Sequence, residues 1–572
     1  MSQQPAIEEE KYLETLRDLV HKAWPKDLNR EIAYPHGEKP LTEYLRTFAR
    51  LTPDKPAVIF YGAVTTYGEL DRQSDLFATM LSQQGVGKGD RVSVFLPNCP
   101  QFHIAFFGIL KLGAVHCPVS PLSKAFELGY QVNDCGSETI VALDQLMPVV
   151  REVLPDTRLR RLIVTSFADV MPAEPEIPAP SAARAPKIAC PDAVDMMPVL
   201  ATIDKPSFPR GDSLDDIAAL NYTGGTTGMP KGCIHTQGDM IYTVAANSSL
   251  APPPDNSISL SFFPEFWIAG ENMCLIFPVF NGSTLVLLTR WDPVAVLSAI
   301  QRYRVTGTAM PVDGALELMD HPRFREFDLS SLSNVRVVSF VKKLNMDYRR
   351  RWQQEVGTVL AESAWGMTET HTSDSFTTGM QDDDFDLKSR PTFVGLPVPG
   401  TEFKICDFET GAILPLGAEG EICCRTPSLL KGYWNKPEAT AETLRNGWLH
   451  SGDIGVIDEE GYLHYLGRRK EMIKVKGMSV FPGEIEALLG QHPALGGSGV
   501  VPRADEERGQ VPVAFVLLKA DAPAGVTAKA IEDWCRERMA VFKVPEVRIV
   551  GELPMTATGK VKKNELGKLL DA

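Results

Sequence analysis

This chain carries Asn221-Tyr222-Thr223-Gly224-Gly225-Thr226-Thr227-Gly228-Met229-Pro230-Lys231-Gly232, a run of glycine, threonine and lysine between two segments of regular pattern. Residues 217–220 before it form an apolar run typical of a buried strand, and Thr236 after it can cap a helix. We therefore expect strand, loop and helix in that order. Glycines let a backbone approach an anion, while threonine hydroxyls and a lysine ammonium bind it. The run predicts a polyphosphate-binding loop.

The spacing differs from that of the P-loop NTPases. Lys231 precedes the last glycine of the run, and Cys233 stands where a magnesium-binding hydroxyl would be needed. The loop therefore indicates a different class of nucleotide-binding protein.

Length, composition and charge narrow the class of protein. A chain of 572 residues with 44% hydrophobic and 23% charged residues is typical of a globular protein with several folding units. The net charge of −15 disfavours a general nucleic-acid binder, which needs a cationic face. The ten cysteines are scattered, and the sequence contains neither a signal-peptide core nor an apolar run of membrane-spanning length. We expect a cytoplasmic protein.

Helical and strand patterns alternate along the first half of the chain. Residues 91–96, 140–143 and 161–164 read as short buried strands, and residues 101–112 read as a helix closed by Gly113. Repeated βα units predict an α/β fold with a mostly parallel sheet. Residues 8–24 show amphipathic helical spacing, and we expect that helix to dock on its own domain or on a sister subunit.

The run from Tyr222 to Gly232 resembles the signature of the adenylate-forming enzymes, which include acyl- and aryl-CoA ligases, peptide-synthetase adenylation domains and firefly-type luciferases. Further stretches resemble later signatures of that family in the expected order: Ala364-Trp365-Gly366-Met367-Thr368-Glu369, then residues 447–455, 467–486 and 553–563. The resemblance extends from about residue 41 to residue 570. It implies an α/β fold with a large N-terminal domain of parallel βα sheets plus a small β region, followed by a mobile α+β C-terminal domain.

The resemblance also implies roles for particular residues. It makes Trp365 the aromatic against adenine, Thr368 a contact to the α-phosphate and Glu369 the ligand of Mg²⁺. Hard carboxylate oxygens suit magnesium, and an aromatic face suits a purine. The residues assigned to ATP or AMP binding are Thr223, Gly224, Gly225, Thr226, Thr227, Gly228, Lys231, Trp365, Gly366, Thr368, Asp453 and Arg468.

The C-terminal part of the resemblance predicts a domain movement. It places the boundary between residues 1–469 and 470–572, with the hinge at Lys470. Lys560, in Pro-Met-Thr-Ala-Thr-Gly-Lys, matches the family's catalytic lysine, and it acts together with Thr368 and Glu369. Residues expected on the side of CoA are Lys474, Lys476 and Gly477.

The activity implied is an ATP-dependent acyl-CoA ligase using ATP, Mg²⁺, CoA and a carboxylic acid. CoA is favoured as acceptor because no carrier-protein segment follows Lys560 in this sequence. The alternatives are an acyl-AMP ligase, a carrier-protein-loading adenylation enzyme, a luciferase-type oxygenase or a catalytically silent nucleotide-binding homologue. A homodimer is left open.

The acyl pocket is predicted at Trp267 and at Phe340, Val341 and Lys342. The family usually has small residues at the latter positions, so Phe340 and Val341 should shorten or reshape the pocket. We hypothesise that Lys342 faces the pocket and pairs with a polar or anionic group of the acid, since burying a lysine alone is costly. The alternative is that Lys342 points to solvent and the acid is a plain aliphatic or aromatic one.

Overall fold

The computed structural model describes residues 7–223, 229–388, 393–475, 478–505, 508–556 and 559–570. Its strands are β1 Pro56–Phe60, β2 Ala63–Thr66, β3 Arg91–Phe95, β4 Val115–Pro118, β5 Thr139–Leu143, β6 Arg161–Thr165, β7 Val194–Asp195, β8 Ile217–Tyr222, β9 Gly232–Thr236, β10 Ile258–Ser261, β11 Thr284–Leu287, β12 Gly307–Pro311, β13 Asn334–Val338, β14 Leu360–Glu362, β15 Ser375–Phe376, β16 Phe393–Pro397, β17 Glu402–Cys406, β18 Gly420–Arg425, β19 Leu444–Arg445, β20 Trp448–Ile457, β21 Leu463–Arg468, β22 Ile473–Val475, β23 Met478–Val480, β24 Leu495–Asp505, β25 Gly509–Leu518 and β26 Glu546–Val550.

The helices are α1 Glu9–Ala23, α2 Leu41–Leu51, α3 Tyr67–Gln83, α4 Pro100–Lys111, α5 Ala125–Cys135, α6 Met147–Val153, α7 Met196–Thr202, α8 Gln237–Leu250, α9 Ile268–Gly270, α10 Phe277–Asn281, α11 Pro293–Tyr303, α12 Val312–Asp320, α13 Met346–Val356, α14 Phe385–Lys388, α15 Pro437–Thr443, α16 Pro482–Leu489, α17 Ala528–Arg536 and α18 Lys563–Lys568. Helices α1 and α2 precede β1, α18 follows β26, and the other helices lie between the strands. Within the described residues, no helix is both long enough and apolar enough to cross a bilayer.

Two mainly parallel sheets form the larger part of the fold. Sheet I has the order β7-β6-β5-β3-β4-β8-β9, and sheet II has the order β14-β13-β12-β10-β11-β1-β2. Only the edge strands β9 and β2 pair antiparallel with their neighbours among the described strands of these sheets. Buried residues of both sheets belong to one apolar cluster, to which Val94 of sheet I and Val335 of sheet II both contribute. The predicted α/β class is confirmed.

Helix α4 is buried along its whole length within this cluster. Its last residue, Lys111, is fully buried, and its ammonium lies 2.6 Å from Asp71 and 2.8 Å from Asp75 of α3. A buried ammonium needs such partners because an unpaired charge is costly inside a protein. Gly113 follows with φ of +72°, a left-handed conformation that glycine adopts without strain, and it ends the helix as predicted.

Two smaller sheets follow. Sheet III, with the order β15-β16-β21-β20-β18-β17 and β19 paired to β20, is antiparallel, and helix α1 packs on it through Leu13 and Leu16. Sheet IV has the order β23-β22-β25-β24 with β26 beside β25. The chain passes from sheet III to sheet IV across the short 3-10 turn Arg469–Glu471.

One local prediction is wrong. The order after the glycine-rich loop is strand and then helix, because residues 232–236 form β9 and pair antiparallel with β8 before α8 begins. The loop thus connects the two strands of a hairpin. Thr236 does cap α8 as expected, since its hydroxyl accepts the N–H of Asp239 and its own N–H donates to the Asp239 carboxylate.

Candidate active site

A large cavity of about 2610 Å³ lies where sheets I to III meet sheet IV. Side chains from distant parts of the sequence reach it from different elements. Predicted site residues on its wall are Thr223, Lys231, Trp267, Phe340, Trp365, Gly366, Thr368, Glu369, Asp453, Arg468, Lys470 and Lys560.

The base of the glycine-rich loop is closed by two hydrogen bonds. The N–H of Thr223 donates to the carbonyl of Lys231 at 3.0 Å, and the N–H of Lys231 donates to the Thr223 hydroxyl at 3.2 Å. The predicted contacts Gly224, Gly225, Thr226, Thr227 and Gly228 lie outside the described residues. The two described ends of the loop therefore present one hydroxyl and one ammonium at the cavity wall.

The ammonium of Lys231 is connected to Glu369 through a tyrosine. Its Nζ lies 4.1 Å from the ring centroid of Tyr433, and the Tyr433 hydroxyl donates to Glu369 Oε1 at 2.8 Å. The cation–π contact restricts where the lysine can point. The sequence does not indicate a role for Tyr433, because an aromatic residue that follows glycine in a stretch of surface-like composition gives no sign of the side chain that it contacts.

The turn that carries Thr368 has a strained backbone. His371, Thr372 and Ser373 all have positive φ, at 60°, 67° and 57°. Such angles are uncommon for residues with a side chain, and three in succession need support from their surroundings. Gly366 permits the arrangement, since a Cβ there would lie 2.2 Å from the backbone nitrogen of Ser373. Gly366 is thus required by close backbone approach.

The carbonyl of Thr368 accepts a hydrogen bond from Nε2 of the buried His235 at 2.7 Å, so that nitrogen carries the proton. The other ring nitrogen of His235 lies 3.7 Å from the carboxylate of Asp239, which also pairs with Lys431 at 2.7 Å. The end of β9, close in sequence to the glycine-rich loop, therefore holds the turn of Thr368 in place.

Asp453 lies at the centre of a second group. It is buried on β20, its Oδ2 accepts the indole N–H of Trp365 at 2.9 Å, and its Oδ1 lies 2.7 Å from Nε of Arg468 on β21. Burial raises the pKa of Asp453 to about 6, although Arg468 opposes that shift. The Trp365 ring packs edge-on against Phe403, with centroids 5.5 Å apart. Trp365 therefore orients the carboxylate as well as lining the cavity.

The turn before Asp453 is fixed by Glu421. One oxygen of this carboxylate accepts the N–H of Gly452 at 3.0 Å, and the other lies 2.7 Å from Nδ1 of His450. Gly452 has φ of +70°, which suits glycine at this turn. The Gly-Asp pair is thus held by contacts that sequence inspection did not reveal.

Lys560 reaches the cavity from sheet IV's side. Its Nζ lies 5.6 Å from the ring centroid of Phe340 and 6.0 Å from that of Trp267. Burial within the cleft lowers the pKa of Lys560, and the charge of Arg468 adds to the effect. The backbone turn is closed by the Thr556 N–H, which donates to the Lys560 carbonyl at 2.7 Å. The ammonium thus enters the same space as Thr368 and Asp453.

The segment between sheets III and IV carries further contacts. Lys470, the predicted hinge, lies in the turn Arg469–Glu471 and lines the cavity. Lys563 of α18 pairs with Glu471 at 2.7 Å and with Glu486 at 3.1 Å. Lys474 is exposed on β22 and is not part of the cavity wall, while Lys476 and Gly477 lie outside the described residues.

The predicted acyl-pocket residues divide into two groups. Trp267 and Phe340 line the cavity, with ring centroids 6.0 Å apart. Neither Val341 nor Lys342 is part of the described wall, whereas Lys343 is. The Val341 side chain instead lies against Gly497, and a Cβ added to Gly497 would be 2.7 Å from the γ-carbon of Val341. Lys342 is therefore not found on the described wall, where the sequence analysis expects it. The turn after β13 has no repeating pattern from which the direction of its side chains could be predicted.

Glu362 is a further cavity residue that the sequence did not reveal. It ends β14, and its Oε1 accepts the N–H of Ser339 at 2.9 Å while its other oxygen accepts the Ser339 hydroxyl. Burial raises the pKa of Glu362 to about 7, although the Ser339 contacts and the charge of Lys343 oppose the shift. The carboxyl group fixes the turn that carries Phe340.

Comparison with known proteins identifies relatives over most of the chain. The profile of the AMP-binding enzyme family matches residues 45–434, and that of the AMP-binding enzyme C-terminal domain matches residues 484–560. A long-chain-fatty-acid–CoA ligase of Bacillus subtilis (strain 168) is 31% identical over 558 residues, which is 95% of this chain and 96% of that protein.

Two solved structures have the same fold. An anthranilate CoA ligase in complex with anthranoyl-AMP aligns with a TM-score of 0.80 at 26% identity, covering 93% of this chain and 98% of that one. An O-succinylbenzoate coenzyme A synthetase from Bacillus subtilis in complex with ATP and magnesium ion aligns with a TM-score of 0.75 at 25% identity, covering 92% of this chain and 99% of that one.

Proposed function

The chain belongs to the AMP-binding enzyme family, and from that premise we propose how its cavity performs the two half-reactions of acyl activation. The chain is an ATP-dependent acyl-CoA ligase. In the first step a carboxylate oxygen attacks the α-phosphorus of ATP and pyrophosphate leaves. In the second step the CoA thiol attacks the acyl carbon and AMP leaves.

The proposal is carried by one observation, which is that residues from distant parts of the sequence face one cavity. These residues are Thr223, Lys231, Thr368, Asp453 and Lys560. Two anions must meet in the first step, so that catalysis depends on positioning and on neutralising charge. The cavity supplies both, because fixed hydroxyls and ammonium groups converge there without a nucleophilic side chain being required.

We assign ATP binding to the residues at the base of the glycine-rich loop and to the residues around Asp453. Thr223 and Lys231 hold the phosphates together with the loop residues 224–228, which stay a prediction. Asp453 accepts hydrogen bonds from the ribose hydroxyls, and Arg468 keeps the carboxylate ionised by its charge. Trp365 contributes an aromatic surface for adenine at the same point of the wall.

Glu369 suits a magnesium ion in its chemistry. Its carboxylate lies on the cavity wall, and Tyr433 holds one of its oxygens, which fixes the orientation of the group. When bound, Mg²⁺ would neutralise phosphate charge. The protein's own part is to present a hard oxygen ligand in a fixed direction beside Thr368.

Lys560 stabilises the charge that develops as the carboxylate and the α-phosphate meet. Its ammonium faces the aromatic rings of Trp267 and Phe340, at 6.0 and 5.6 Å from their centroids, so that it lies against an apolar border of the cavity. The described arrangement thus suits the first half-reaction.

For the second half-reaction we propose rotation at Lys470. This residue lies in the short turn between sheets III and IV, outside the strand pairing of either sheet. Rotation would remove Lys560 from the cavity and bring the face of Lys474, Lys476 and Gly477 toward CoA. The domain boundary proposed is accordingly residues 1–469 and 470–572.

The acid bound here has an extended chain. From Phe340 the cavity continues along sheet II to Gly307 and Asn334, at the beginnings of β12 and β13. The cavity is therefore long enough for a chain of many carbon atoms, which agrees with the long-chain acid in the name of the Bacillus subtilis relative. We also infer a cytoplasmic location, since all ten cysteines are free and buried.

The test is a panel of carboxylic acids with ATP, Mg²⁺ and CoA, measuring pyrophosphate and AMP. We expect acid-dependent pyrophosphate release, and AMP release that requires CoA. Pyrophosphate release with continued AMP turnover in the absence of CoA would indicate an acyl-AMP ligase instead. No release with any acid would contradict the proposal and favour a silent homologue.

A further inference from the structure

An arginine lies in the wall of the acyl part of the cavity. Arg336 is in the middle of β13, where alternate side chains point to opposite faces of sheet II. Val335 and Val337 are buried in the apolar core, while Arg336 and Val338 line the cavity. A cation therefore occupies the face along which we place the acyl chain.

The neighbouring strands leave space around this side chain. Arg336 is in register with Ala309 of β12 and Ala361 of β14. Cross-strand neighbours lie about 5 Å apart, so larger residues at either position would cover the guanidinium. Two alanines leave it open to a ligand.

The guanidinium has no acidic partner among the described residues. Its Nη2 donates to the Thr378 hydroxyl at 2.5 Å, and no described carboxylate forms an ion pair with it. Asp386, which also lines the cavity, is held by Arg349 through two hydrogen bonds of 2.7 Å. Glu362 is held by Ser339. These two carboxylates are therefore engaged by other partners.

An arginine stays protonated even where burial lowers its pKa, as it does at Arg336. One neutral hydroxyl cannot satisfy five N–H donors and a positive charge in an enclosed space. An anionic group entering the cavity would form the bidentate pair that a guanidinium favours.

We propose that the acid activated by this enzyme carries a second acidic group, and that Arg336 binds this group within the acyl pocket. The inference rests on the proposed function, since it takes the acyl chain to lie along β13. Arg336 is thus a specificity-determining residue. It replaces Lys342 as the cation that recognises the acid.

The position of Arg336 sets the distance between the two acidic groups. It lies two residues before Val338 and four before Phe340, which is roughly 7 to 13 Å at about 3.3 Å per residue. An extended chain advances about 1.2 Å per bond. The second group should therefore be about six to eleven bonds from the activated carboxyl carbon.

The experiment compares α,ω-dicarboxylic acids with their monomethyl esters, which have the same dicarboxylic carbon chain but lack the second charge. We would measure kcat/KM for CoA-dependent AMP formation with wild type, Arg336→Met and the control Arg325→Met, whose side chain is 86% exposed on the surface. Wild type should prefer the free diacids. Arg336→Met should lose roughly 10- to 100-fold on the diacids and little on the esters.

Equal changes in both classes of substrate, or equal use of diacid and ester by wild type, would overturn the inference. The wild-type comparison decides the matter even where Arg336→Met does not fold. Activity on esters and plain acids without a preference for diacids would leave the ligase function intact and refute only the role of Arg336. Absence of activity on every acid would instead refute the proposed function on which the inference rests.

Discussion

Replacing Lys560 by alanine should separate the two half-reactions. Its ammonium faces the rings of Trp267 and Phe340, and we propose that the carboxylate meets the α-phosphate beside it. A charge about 4 Å from the reacting oxygens, at an effective dielectric constant of about 20, contributes ~4 kcal/mol. At about 1.4 kcal/mol per tenfold, adenylation should slow by roughly 10³-fold.

The assay follows pyrophosphate release from ATP and acid, and separately thioester formation from synthetic acyl-adenylate and CoA. Only the first should fall. Lys562→Ala is the matched control, because Lys562 pairs with Glu565 at 3.1 Å and is not part of the described cavity wall. If Lys560→Ala slows both half-reactions to the same extent, or Lys562→Ala has the same effect, the assignment is refuted.

Further outcomes are expected at four other positions. Lys470→Pro should retain pyrophosphate release and lose thioester formation, because proline fixes φ near roughly −65° at the turn between sheets III and IV. Loss of both activities would contradict the assignment of Lys470 as the hinge. The affinity for ATP should fall as the pH is lowered through about 6, because a protonated Asp453 no longer accepts hydrogen bonds from two ribose hydroxyls. A binding titration against pH should show this fall for wild type and not for Asp453→Asn. Identical pH profiles would exclude Asp453 as the ribose ligand. Gly366→Ala should destabilise the fold by about 1–3 kcal/mol in denaturant unfolding because its Cβ would meet backbone at 2.2 Å, whereas Gly551→Ala, with no atom within 4 Å, should be neutral. Glu369→Gln should raise the concentration of Mg²⁺ needed for half-maximal adenylation, and an unchanged requirement would remove Glu369 as a ligand.

The regular elements could be predicted because their causes are local. Strands β3, β5 and β6 and helix α4 appear within a residue or two of the expected positions, since runs of apolar residues between turn signals define them. Strand β9 was missed because its five residues become a strand only by pairing with β8. Tertiary pairing of that kind leaves little trace in a single sequence.

The site was only partly predictable, because its motifs are local whereas the contacts that position them are not. Thr368, Asp453 and Lys560 stand in motifs whose spacing is distinctive, but the contacts that hold them come from His235 and Glu421, which are distant in sequence. The pocket residues were least predictable.

Arg336 illustrates the limit. The alternating pattern Asn-Val-Arg-Val-Val indicates that Arg336 shares a face with Val338, yet it does not indicate that the face borders a cavity rather than solvent. That depends on Ala309 and Ala361 in the adjacent strands, whose pairing with β13 no local pattern specifies.

Phe340 and Val341 couple two properties of the enzyme, the choice of acid and the packing of the C-terminal part of the chain, which evolution could otherwise change separately. Phe340 lines the part of the cavity in which we propose that the acid binds, and a Cβ on Gly559 would lie 3.6 Å from its ring, while Val341 lies against Gly497. A mutation here that admits a new acid also alters the surface on which the C-terminal part of the chain rests. Adaptation to a new substrate through these two residues would therefore carry a change in turnover with it, and lineages that diversify their acids should do so first at Arg336 and its two alanine neighbours.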